Sequence, residues 1–436
     1  MRSHIFTDDF RIEPQWWDVA RPASAGGELP ARADLLIVGA GLCGLSAARR
    51  ALDLGAVPVV LDAGAIGGGA SSRSGAMASS AQKLLISGAA QGLPTNVVAE
   101  LVDQHTMALD HIRRTAAEAG IDAGYQASGR LFLAAVPADL ARFEGHARIL
   151  RERGGMRARV IGRTELSAEI ATPHYHGGLL VEDFGGLHPS LFAASLAADV
   201  ARRGGVLRSH ARVVSVRREA AGFRVVSTAG TILARQVLFA TNGYTDAALP
   251  PVRRRIAAVG SFMIATEDMG RDRVKALMPG LRMYSDTKRS LWFFRPSTDG
   301  GRILFGARPG IAPSQPRAAA VKLHGFLGTV FPSLRDVRIS HAWTGTIAMT
   351  RRHVQHIGQY DGIWFAVGCN GSGVVIMPWL GRLAVERLLG HRTAPTVFER
   401  IDFGRMPNLA GTSWYVPFAA GAFALGDWLD RKRAGV

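Results

Sequence analysis

The stretch Leu35-Leu36-Ile37-Val38-Gly39-Ala40-Gly41-Leu42-Cys43-Gly44 determines how this chain begins to fold. Its apolar run predicts a buried strand, and its glycines predict a tight turn into a helix over residues 45–54. Gly39 permits the turn, Gly41 lets the backbone approach a pyrophosphate, and Gly44 permits close packing of helix and strand. The N-terminus of such a helix also attracts phosphate charge. The pattern therefore indicates a phosphate-binding strand–turn–helix unit.

A second apolar run follows this unit and ends at an acidic residue. Residues 57–61 predict another buried strand, and Asp62 stands directly after it, where a carboxylate can accept hydrogen bonds from a ribose. A GxGxxG pattern by itself is weak, but one that stands between two strands and before a strand-terminal acid is specific. We therefore interpret residues 35–62 as a dinucleotide site rather than a merely structural glycine turn.

Three further segments rich in small residues follow along the chain. Residues 67–77 form a loop of Gly, Ala and Ser with one arginine, Arg73, of the kind that lies against something flat and polar. Residues 236–244 predict a strand that ends in a small-residue turn. Residues 363–373 predict a strand and a glycine turn, before an apolar helix over 374–389.

In the order of these motifs the chain resembles the D-amino-acid oxidase-like superfamily of FAD flavoproteins, on the branch with sarcosine oxidase, glycine oxidase and γ-glutamylputrescine oxidase. The resemblance covers most of the chain, and the order of the motifs is more specific than any one of them. The matching segments are the GxGxxG turn with Asp62, the Gly-Ala-Ser-x-Arg loop at 69–73, Ala240-Thr241-Asn242-Gly243, Ile303-Leu304-Phe305-Gly306 and Gly371-Ser372-Gly373.

This resemblance implies an α/β fold, in which an FAD-binding doubly wound domain of the glutathione-reductase type carries an inserted substrate domain with an antiparallel sheet. Strands that are adjacent in sequence between residues 249 and 344 favour antiparallel pairing as well. We expect the FAD-binding domain in segments 34–92, 188–248 and 345–400, the substrate domain in segments 93–187 and 249–344, and a C-terminal arm over 401–436.

The resemblance also assigns the residues that would bind FAD. They lie in the five glycine-rich or strand-end segments, and the strand at Val213 lends its backbone to the adenine in this family. The assigned residues are Gly39, Ala40, Gly41, Leu42, Cys43, Gly44, Asp62, Ala63, Ala70, Ser71, Ser72, Arg73, Ser74, Val213, Thr241, Asn242, Gly243, Gly368, Gly371, Ser372, Gly373 and Val374.

The implied reaction is oxidation of the C–N bond of a small amine or amino acid, by hydride transfer to flavin, to an imine that hydrolyses. Only one strand–GxGxxG–acid unit stands in the sequence, so NAD(P)H has no second nucleotide site and the electrons must come from the small substrate. O2 or another acceptor would then reoxidise the flavin, and the family favours an oxidase over a dehydrogenase. The alternative is a flavin-binding subunit of a multi-component dehydrogenase or of a biosynthetic complex, without independent turnover.

Arg73 and Ser372 are the candidate catalytic residues. Arg73 would lie at the flavin or the substrate, or else make a plain salt bridge within its loop. Ser372 stands at the start of the last long helix, whose N-terminal partial positive charge faces the flavin pyrimidine in this family and stabilises the anionic reduced ring.

Aromatic residues on one predicted strand are candidates for substrate contact. Trp292, Phe293 and Phe294 alternate, so either Phe293 alone or the pair Trp292 and Phe294 faces the substrate. We assign the pair, together with Tyr284, to the substrate side.

The chain departs from the family at several functional positions. Sarcosine oxidases attach FAD through a cysteine, but residues 343–349 contain none, which implies non-covalent FAD. Ser372 stands where many relatives have histidine, and Val375 stands where sarcosine oxidases hold the substrate carboxylate with lysine. Leu304 replaces a lysine that those enzymes use to activate oxygen. The carboxylate contact and the electron acceptor therefore do not carry over.

Composition excludes several other classes of protein. The chain has 47% hydrophobic and 20% charged residues, and its net charge of +17 comes from scattered arginines rather than a basic stripe, so we expect no nucleic-acid partner. His353 and His356 are three residues apart, but no carboxylate or cysteine completes a metal set. Two cysteines form no disulfide framework, which is typical of a reducing compartment.

The two ends of the chain bear on its location. Residues 1–9 carry no hydrophobic core of a secretory signal, and the apolar stretch 415–425 is about half the length of a membrane-spanning helix. We therefore expect a cytoplasmic protein with no transmembrane segment. The C-terminal arm would pack on the body of the protein or, as the alternative, rest on a membrane surface.

Overall fold

The computed structural model describes residues 3–86, 89, 91–311, 314–408 and 413–435. Within these residues the strands are β1 (Phe6–Arg11), β2 (Arg32–Val38), β3 (Pro58–Leu61), β4 (Met77–Ala78), β5 (Arg130–Leu133), β6 (Ala158–Ile161), β7 (Gly178–Val181), β8 (Gly185–Gly186), β9 (Val206–Arg208), β10 (Val213–Glu219), β11 (Gly222–Ser227), β12 (Gly230–Phe239), β13 (Ala257–Thr266), β14 (Met283–Asp286), β15 (Phe293–Pro296), β16 (Ile303–Ala307), β17 (Ile339–Met349), β18 (His356–Tyr360) and β19 (Ile363–Val367). The helices are α1 (Leu42–Asp53), α2 (Gln82–Ile86), α3 (Thr95–Ala116), α4 (Pro137–Gly154), α5 (Arg163–Leu166), α6 (Pro189–Arg202), α7 (Pro250–Arg253), α8 (Arg271–Leu277), α9 (Pro316–Val330), α10 (Gly373–Leu388), α11 (Val397–Arg400) and α12 (Val416–Arg433).

The predicted strand–turn–helix unit lies in the middle of a parallel sheet. Its parallel strands follow the order β9-β3-β2-β12-β19, β18 pairs antiparallel with β19, and β10 and β11 extend β12 as an antiparallel hairpin. Val38 at the end of β2 pairs with Leu61 of β3 and with Phe239 of β12. Three carboxyl ends therefore meet at one edge, which is where doubly wound sheets bind ligands.

Both faces of this sheet are buried, which explains why β2 is apolar at every position near its end. Leu35 and Ile37 pack into one core with helices α1 and α10, and Leu36 and Val38 pack into a second core on the opposite face. A parallel sheet covered on both faces requires such continuous apolar strands. The apolar run in the sequence is thus a consequence of the sheet's position in the fold.

The second large sheet has the order β1-β17-β13-β16-β15-β14-β5-β7-β6. Strands β13 to β17 pair antiparallel, as predicted for residues 249–344, whereas β5 pairs parallel with β14, and β1 with β17. Helix α9 covers one face, where Phe294, Phe305 and Leu323 share a core. The opposite face, with Met263 and Phe293, turns toward the first sheet's loops.

The two sheets take their strands from alternating parts of the chain, so the mixed α/β fold is the predicted one. The six predicted segment boundaries stay a prediction, and residues 409–412 and 436 of the predicted C-terminal arm lie outside the described residues. The N-terminal lead-in forms strand β1, which the sequence did not predict, and its Trp16 is fully buried.

Candidate active site

A cavity of about 1420 Å³ receives residues from both large sheets. Its lining begins at the GxGxxG turn, follows the loop over residues 68–77, and continues to the start of α10 and to β5, β13 and β15 of the second sheet. Ordinary small-molecule pockets have volumes of about 300–1000 Å³. The cavity can therefore hold a dinucleotide and a further small molecule together.

The turn between β2 and α1 requires glycine at two positions. Gly39 adopts a φ of +104°, which side chains rarely allow, and a Cβ on Gly44 would stand 1.8 Å from the carbonyl oxygen of Gly39. Helix α1 thus begins in direct contact with the end of β2. Its N-terminus lies at the cavity wall.

Asp62 stands directly after β3 and faces this turn. Its carboxylate accepts hydrogen bonds from the backbone N–H groups of Ala40, at 2.7 Å, and Gly64, at 2.8 Å. Burial raises the pKa of Asp62, while these two hydrogen bonds act in the opposite direction. The side chain therefore fixes the turn, and each carboxylate oxygen keeps a second lone pair for a ligand hydroxyl.

The loop of small residues lies against the start of α1. Ser71 Oγ accepts a hydrogen bond from the N–H of Leu42 at 2.9 Å, and Ser72 Oγ accepts one from Trp17 Nε1 at 3.1 Å. The N-terminal N–H groups of a helix attract anions and polar oxygens. The Ser71 hydroxyl therefore marks a polar position at the helix start, on the cavity wall.

Arg73 follows this loop and also lines the cavity. Its Nε donates to the carbonyl oxygen of Gly68 at 2.8 Å, Nη1 donates to that of Thr344 at 3.4 Å, and the guanidinium stacks on Trp17 at 4.5 Å from the ring centroid. Burial lowers the pKa of Arg73. Among the described residues no carboxylate lies within salt-bridge distance, so the alternative of a loop salt bridge does not describe this side chain.

The ends of β12 and β19 are joined by Asn242. Its Oδ1 accepts hydrogen bonds from the N–H groups of Gly368, at 3.0 Å, and Cys369, at 3.2 Å. Asn242 itself adopts a φ of +45°, a left-handed conformation that Asn tolerates better than most residues. One side chain thereby holds together two turns that the sequence assigned to the cofactor.

Three cationic side chains gather where α10 begins. A Cβ on Gly371 would stand 2.7 Å from Arg308 Nη2 and 3.3 Å from Lys83 Nζ, and Arg130 lies close enough to lower the pKa of Lys83 further. Burial and these two arginines bring the pKa of Lys83 to about 7, and burial lowers that of Arg130 to about 10. We call Lys83, Arg130 and Arg308 the cationic cluster.

The three side chains of the cationic cluster have different hydrogen-bond partners. Arg130 donates to the hydroxyls of Ser79, at 2.7 Å, and Ser285, at 3.0 Å, and Lys83 Nζ donates to the carbonyl oxygen of Asn370 at 2.7 Å. The Nε atoms of both Arg130 and Arg308 are buried and have no hydrogen-bond partner among the described residues. Buried guanidinium groups normally find an acceptor, so both arginines keep a donor for a ligand in the cavity.

Most of the predicted cofactor residues line the cavity, although their contact with a cofactor stays a prediction. Ala40, Gly44, Ser72, Gly243 and Gly368 are instead buried beside the lining and shape it through the contacts of their neighbours. The predicted residues that line it are Gly39, Gly41, Leu42, Cys43, Asp62, Ala63, Ala70, Ser71, Arg73, Ser74, Val213, Thr241, Asn242, Gly371, Ser372, Gly373 and Val374.

The assignment of Tyr284, Trp292 and Phe294 to the substrate side is corrected by the structure. All three pack in the core under α9, and Tyr284 and Phe294 are stacked on each other. Phe293 points the other way and lines the cavity, in space that Gly306 leaves open. Alternation along the strand places Phe293 on one face of the sheet and its neighbours on the other. Helix α9 covers the face of Trp292 and Phe294, which leaves Phe293 to line the cavity.

The sequence analysis missed the cationic cluster and Met263. His353, which it considered only as a metal ligand, lines the cavity. One signal for Lys83 was available. The chain has 52 Lys and Arg residues, and only positions 83, 275, 288, 322 and 432 are Lys. Two of them, Lys83 and Lys288, line the cavity.

At the far end of the cavity, loop residues 286–291 meet α4 and α12. Lys288 pairs with the buried carboxylate of Asp286 at 2.6 Å and lies over the Trp292 ring, 4.0 Å from its centroid. Phe423 of α12 also belongs to the lining. Among the described residues no group of His, Cys, Asp and Glu side chains could hold a metal ion, and no helix is long and apolar enough to cross a membrane.

Residues 34–387 match the family model DAO, described as FAD dependent oxidoreductase. The chain therefore belongs to the DAO family and is an FAD-dependent oxidoreductase. The cavity fits FAD, because the GxGxxG turn, the start of α1 and Asp62 lie on its wall together and its volume exceeds that of ordinary pockets.

Curated relatives match along most of their length. The chain is 28% identical over 410 residues to gamma-glutamylputrescine oxidoreductase of Escherichia coli, covering 91% of this chain and 93% of that protein. It is 26% identical over 379 residues to the probable oxidoreductase OrdL of Rhizobium meliloti, covering 86% and 88%.

Solved structures share the fold. Glycine oxidase from Geobacillus kaustophilus superposes with a TM-score of 0.70 at 18% identity, over 87% of this chain and 100% of that one. L-proline dehydrogenase from P. horikoshii superposes with a TM-score of 0.68 at 17% identity, over 84% and 95%.

Proposed function

We propose that the protein oxidises the C–N bond of a small amino acid or other carboxylated amine, with non-covalently bound FAD as the oxidant. Two relatives, gamma-glutamylputrescine oxidoreductase and glycine oxidase, support an amine or amino-acid substrate by their names. The observation that carries the proposal is the cationic cluster, which places two arginines and a lysine at the cavity wall beside the start of α10.

The chain's own residues would hold the cofactor. The turn at Gly39 to Gly44, together with the start of α1, would bind the pyrophosphate, and Asp62 would bind the ribose. When bound, FAD supplies an acceptor for the hydride that leaves the amine carbon, and the resulting imine hydrolyses.

The cationic cluster would orient the substrate. Arg308 Nε has no partner among the described residues, and its planar guanidinium suits two-point contact with a carboxylate. Arg130, which is held by Ser79 and Ser285, adds positive charge at the same wall. Phe293 and Met263 on the second sheet supply apolar contact for the rest of the substrate.

Lys83 would handle the proton. A free amine, not an ammonium ion, gives up a hydride, so a substrate that binds protonated must first lose a proton. Lys83 has a pKa of about 7 because of burial and the neighbouring arginines, so its Nζ is partly neutral near neutral pH and can accept that proton. Lys83 and Arg308 thus have separate roles, one toward the amine and one toward the carboxylate.

Anaerobic reduction of the flavin by matched substrate pairs tests the proposal. Each pair joins an amino acid to the amine that lacks its carboxylate, such as glycine with methylamine and N-methylglycine with dimethylamine. We expect the carboxylated member to reduce the flavin faster at equal concentration. Following the flavin spectrum makes the result independent of the final acceptor, so oxidases and dehydrogenases are both detected.

Arg308→Leu provides the second half of the test. Loss of a charge-assisted contact is worth about 1.5–3 kcal/mol, so the KM for a carboxylated substrate should rise roughly tenfold to a hundredfold, with unchanged FAD content. The exposed Arg148 on α4 serves as the matched control, through Arg148→Leu. A holoprotein that no amine or amino acid reduces would contradict the proposal and favour the alternative of a subunit without independent turnover.

A further inference from the structure

The C-terminal helix α12 leaves most of its apolar side chains exposed. Phe418 is 72% exposed and Leu425 57%, and Trp428 and Leu429 are exposed as well. Trp414, just before the helix, adds a second exposed indole. We call these five residues the α12 surface. Folded proteins rarely leave so many large apolar groups in contact with water without a partner for them.

Polar contacts, rather than apolar packing, attach α12 to the body. The carboxylate of Asp427 accepts hydrogen bonds from the N–H of Arg289, at 2.8 Å, and from the N–H and Oγ of Ser290, at 3.0 and 2.7 Å. Arg289 also pairs with Asp430. Asp427 is the buried residue of α12, so the side of the helix that faces the body carries this carboxylate together with Phe423, and the α12 surface faces outward.

The acidic residues of α12 face the body, and its basic residues stand at its C-terminal end. Its two acidic residues, Asp427 and Asp430, are engaged with the body, whereas Arg431, Lys432 and Arg433 follow at its end. Lys432 and Arg433 are exposed. Phe418, Leu425 and Leu429 are separated by seven and four positions, which places them on one side of the helix. An outward face with aromatic, apolar and cationic groups, on a helix whose two acids are both engaged by Arg289, suits a membrane interface.

We propose that α12 docks the protein onto the surface of an anionic lipid bilayer. Trp414 and Trp428 would lie at the level of the headgroups, Phe418 and Leu425 would enter the boundary of the acyl chains, and the terminal cations would contact lipid phosphates. The charge of the whole chain, +17, adds a long-range attraction to an anionic surface. The same charge, together with three cations at the end of each α12, opposes pairing with a second copy.

This docking would set the cavity beside the membrane. Phe423 of α12 and Arg289, which is bonded to α12, both line the cavity. A small molecule or electron acceptor that enters at this end would therefore pass next to the lipid surface. The inference does not rest on the proposed substrate, because it follows from the exposed face of α12 alone.

Co-sedimentation of the holoprotein with lipid vesicles tests the proposal. Vesicles of phosphatidylcholine mixed with phosphatidylglycerol are compared with vesicles of phosphatidylcholine alone, at low and high salt. We expect binding to the anionic vesicles that is at least roughly tenfold tighter than to the neutral ones and that weakens as salt screens the charges.

Two sets of variants separate the apolar and the cationic parts. One double variant combines Phe418→Ser with Leu425→Ser, and the other combines Lys432→Gln with Arg433→Gln. Each should reduce vesicle binding while the flavin spectrum and melting temperature stay unchanged. The matched control is Val214→Ser, which removes an apolar side chain on β10 that is 50% exposed. It should bind vesicles like the parent.

Several outcomes would overturn the proposal. Absence of binding, equal binding to neutral vesicles, or full binding by both variants would each do so. A dimer in light scattering that the Phe418→Ser, Leu425→Ser variant disperses, without vesicle binding by the parent, would assign the α12 surface to a second copy. Flavin reduction measured without lipid is unaffected by any of these results, so the proposed function is judged separately.

Discussion

Lys83 Nζ donates a hydrogen bond to the backbone carbonyl oxygen of Asn370 at 2.7 Å, and so ties α2 to the turn that begins α10. Asn370 is itself fixed, because its Nδ2 donates to the carbonyl oxygen of Gly368 at 2.7 Å and its Oδ1 accepts from the N–H of Thr350 at 2.9 Å. The ammonium group is thus positioned by the same turn that begins the helix.

The pH dependence of flavin reduction should follow Lys83. Its pKa in the folded protein is lowered to about 7, so we expect the reduction rate to rise as pH increases through about 7 and Nζ becomes neutral. Lys83→Met should remove this rise and slow reduction by at least roughly tenfold. Lys322→Met, at an exposed position of α9, is the control and should keep the parent profile.

Stability gives Lys83 a second readout. Because the folded pKa lies below the unfolded value, the unfolded chain binds more protons between these two values, and the free energy of unfolding should rise with pH across that window. Lys83→Met should flatten this part of the curve in denaturant titrations of the protein. If Lys83→Met keeps the parent's pH dependence of both flavin reduction and stability, Lys83 acts only as a hydrogen-bond donor.

Asp62→Ala should weaken FAD binding by about 1–3 kcal/mol, the scale of a lost charge-assisted hydrogen bond. It should also lower the melting temperature, since the N–H groups of Ala40 and Gly64 lose their acceptor. Titration of the apoprotein with FAD measures the first effect. Asp53→Ala, at the exposed end of α1, is the control. Unchanged affinity in Asp62→Ala would argue against the ribose contact.

Arg73→Ala should keep its bound FAD and its visible spectrum but be reduced at least roughly tenfold more slowly, a change of about 1.4 kcal/mol in the barrier. The reason is that a fixed positive charge on the cavity wall favours electron-rich flavin and attracts an anionic substrate group. Anaerobic stopped-flow reduction measures the rate, and Arg148→Ala is the control. Reduction at the parent rate would confine Arg73 to holding Gly68 and Thr344 together.

Acid precipitation of the purified protein should release FAD into solution. Residues 343–349 contain no cysteine, and burial raises the pKa of the Cys43 thiol to about 12, which keeps it from acting as a thiolate. Absorbance of the supernatant and of the washed pellet measures the partition. Flavin that stays with the pellet would contradict non-covalent binding, and peptide mapping would then examine Cys369, which lines the cavity.

The nucleotide half of the site was predictable because its determinants are local. Gly39, Gly44 and Asp62 stand within one βαβ unit, and each has a conformation or contact that its residue type and spacing require. The antiparallel pairing of β13 to β17 was predictable for the same reason, since those strands follow one another along the chain.

The proposed substrate half was not predictable, because it is assembled from distant segments. Lys83 comes from the five-residue helix α2, Arg130 from the start of β5, and Arg308 from the residue after β16, and no local pattern connects them. The choice between Phe293 and its neighbours depended on α9, which packs on one face of the sheet for reasons that β15 alone does not contain. Strand β1 pairs with β17, which lies more than 300 residues further along the chain, so no turn between the two strands indicates the pairing.

The central position of β12 has a consequence for synthesis of the chain on the ribosome. Leu238 pairs with Ile37 on one side and with Trp364 on the other, so each pairing closes a loop of roughly one to two hundred residues. The nucleotide-binding half cannot be completed until β19 and α10 have been made, and by then every strand of the second sheet has already been made. We therefore expect the nascent chain to acquire both halves almost together, so that a ribosome stalled before residue 363 would hold a polypeptide without FAD affinity.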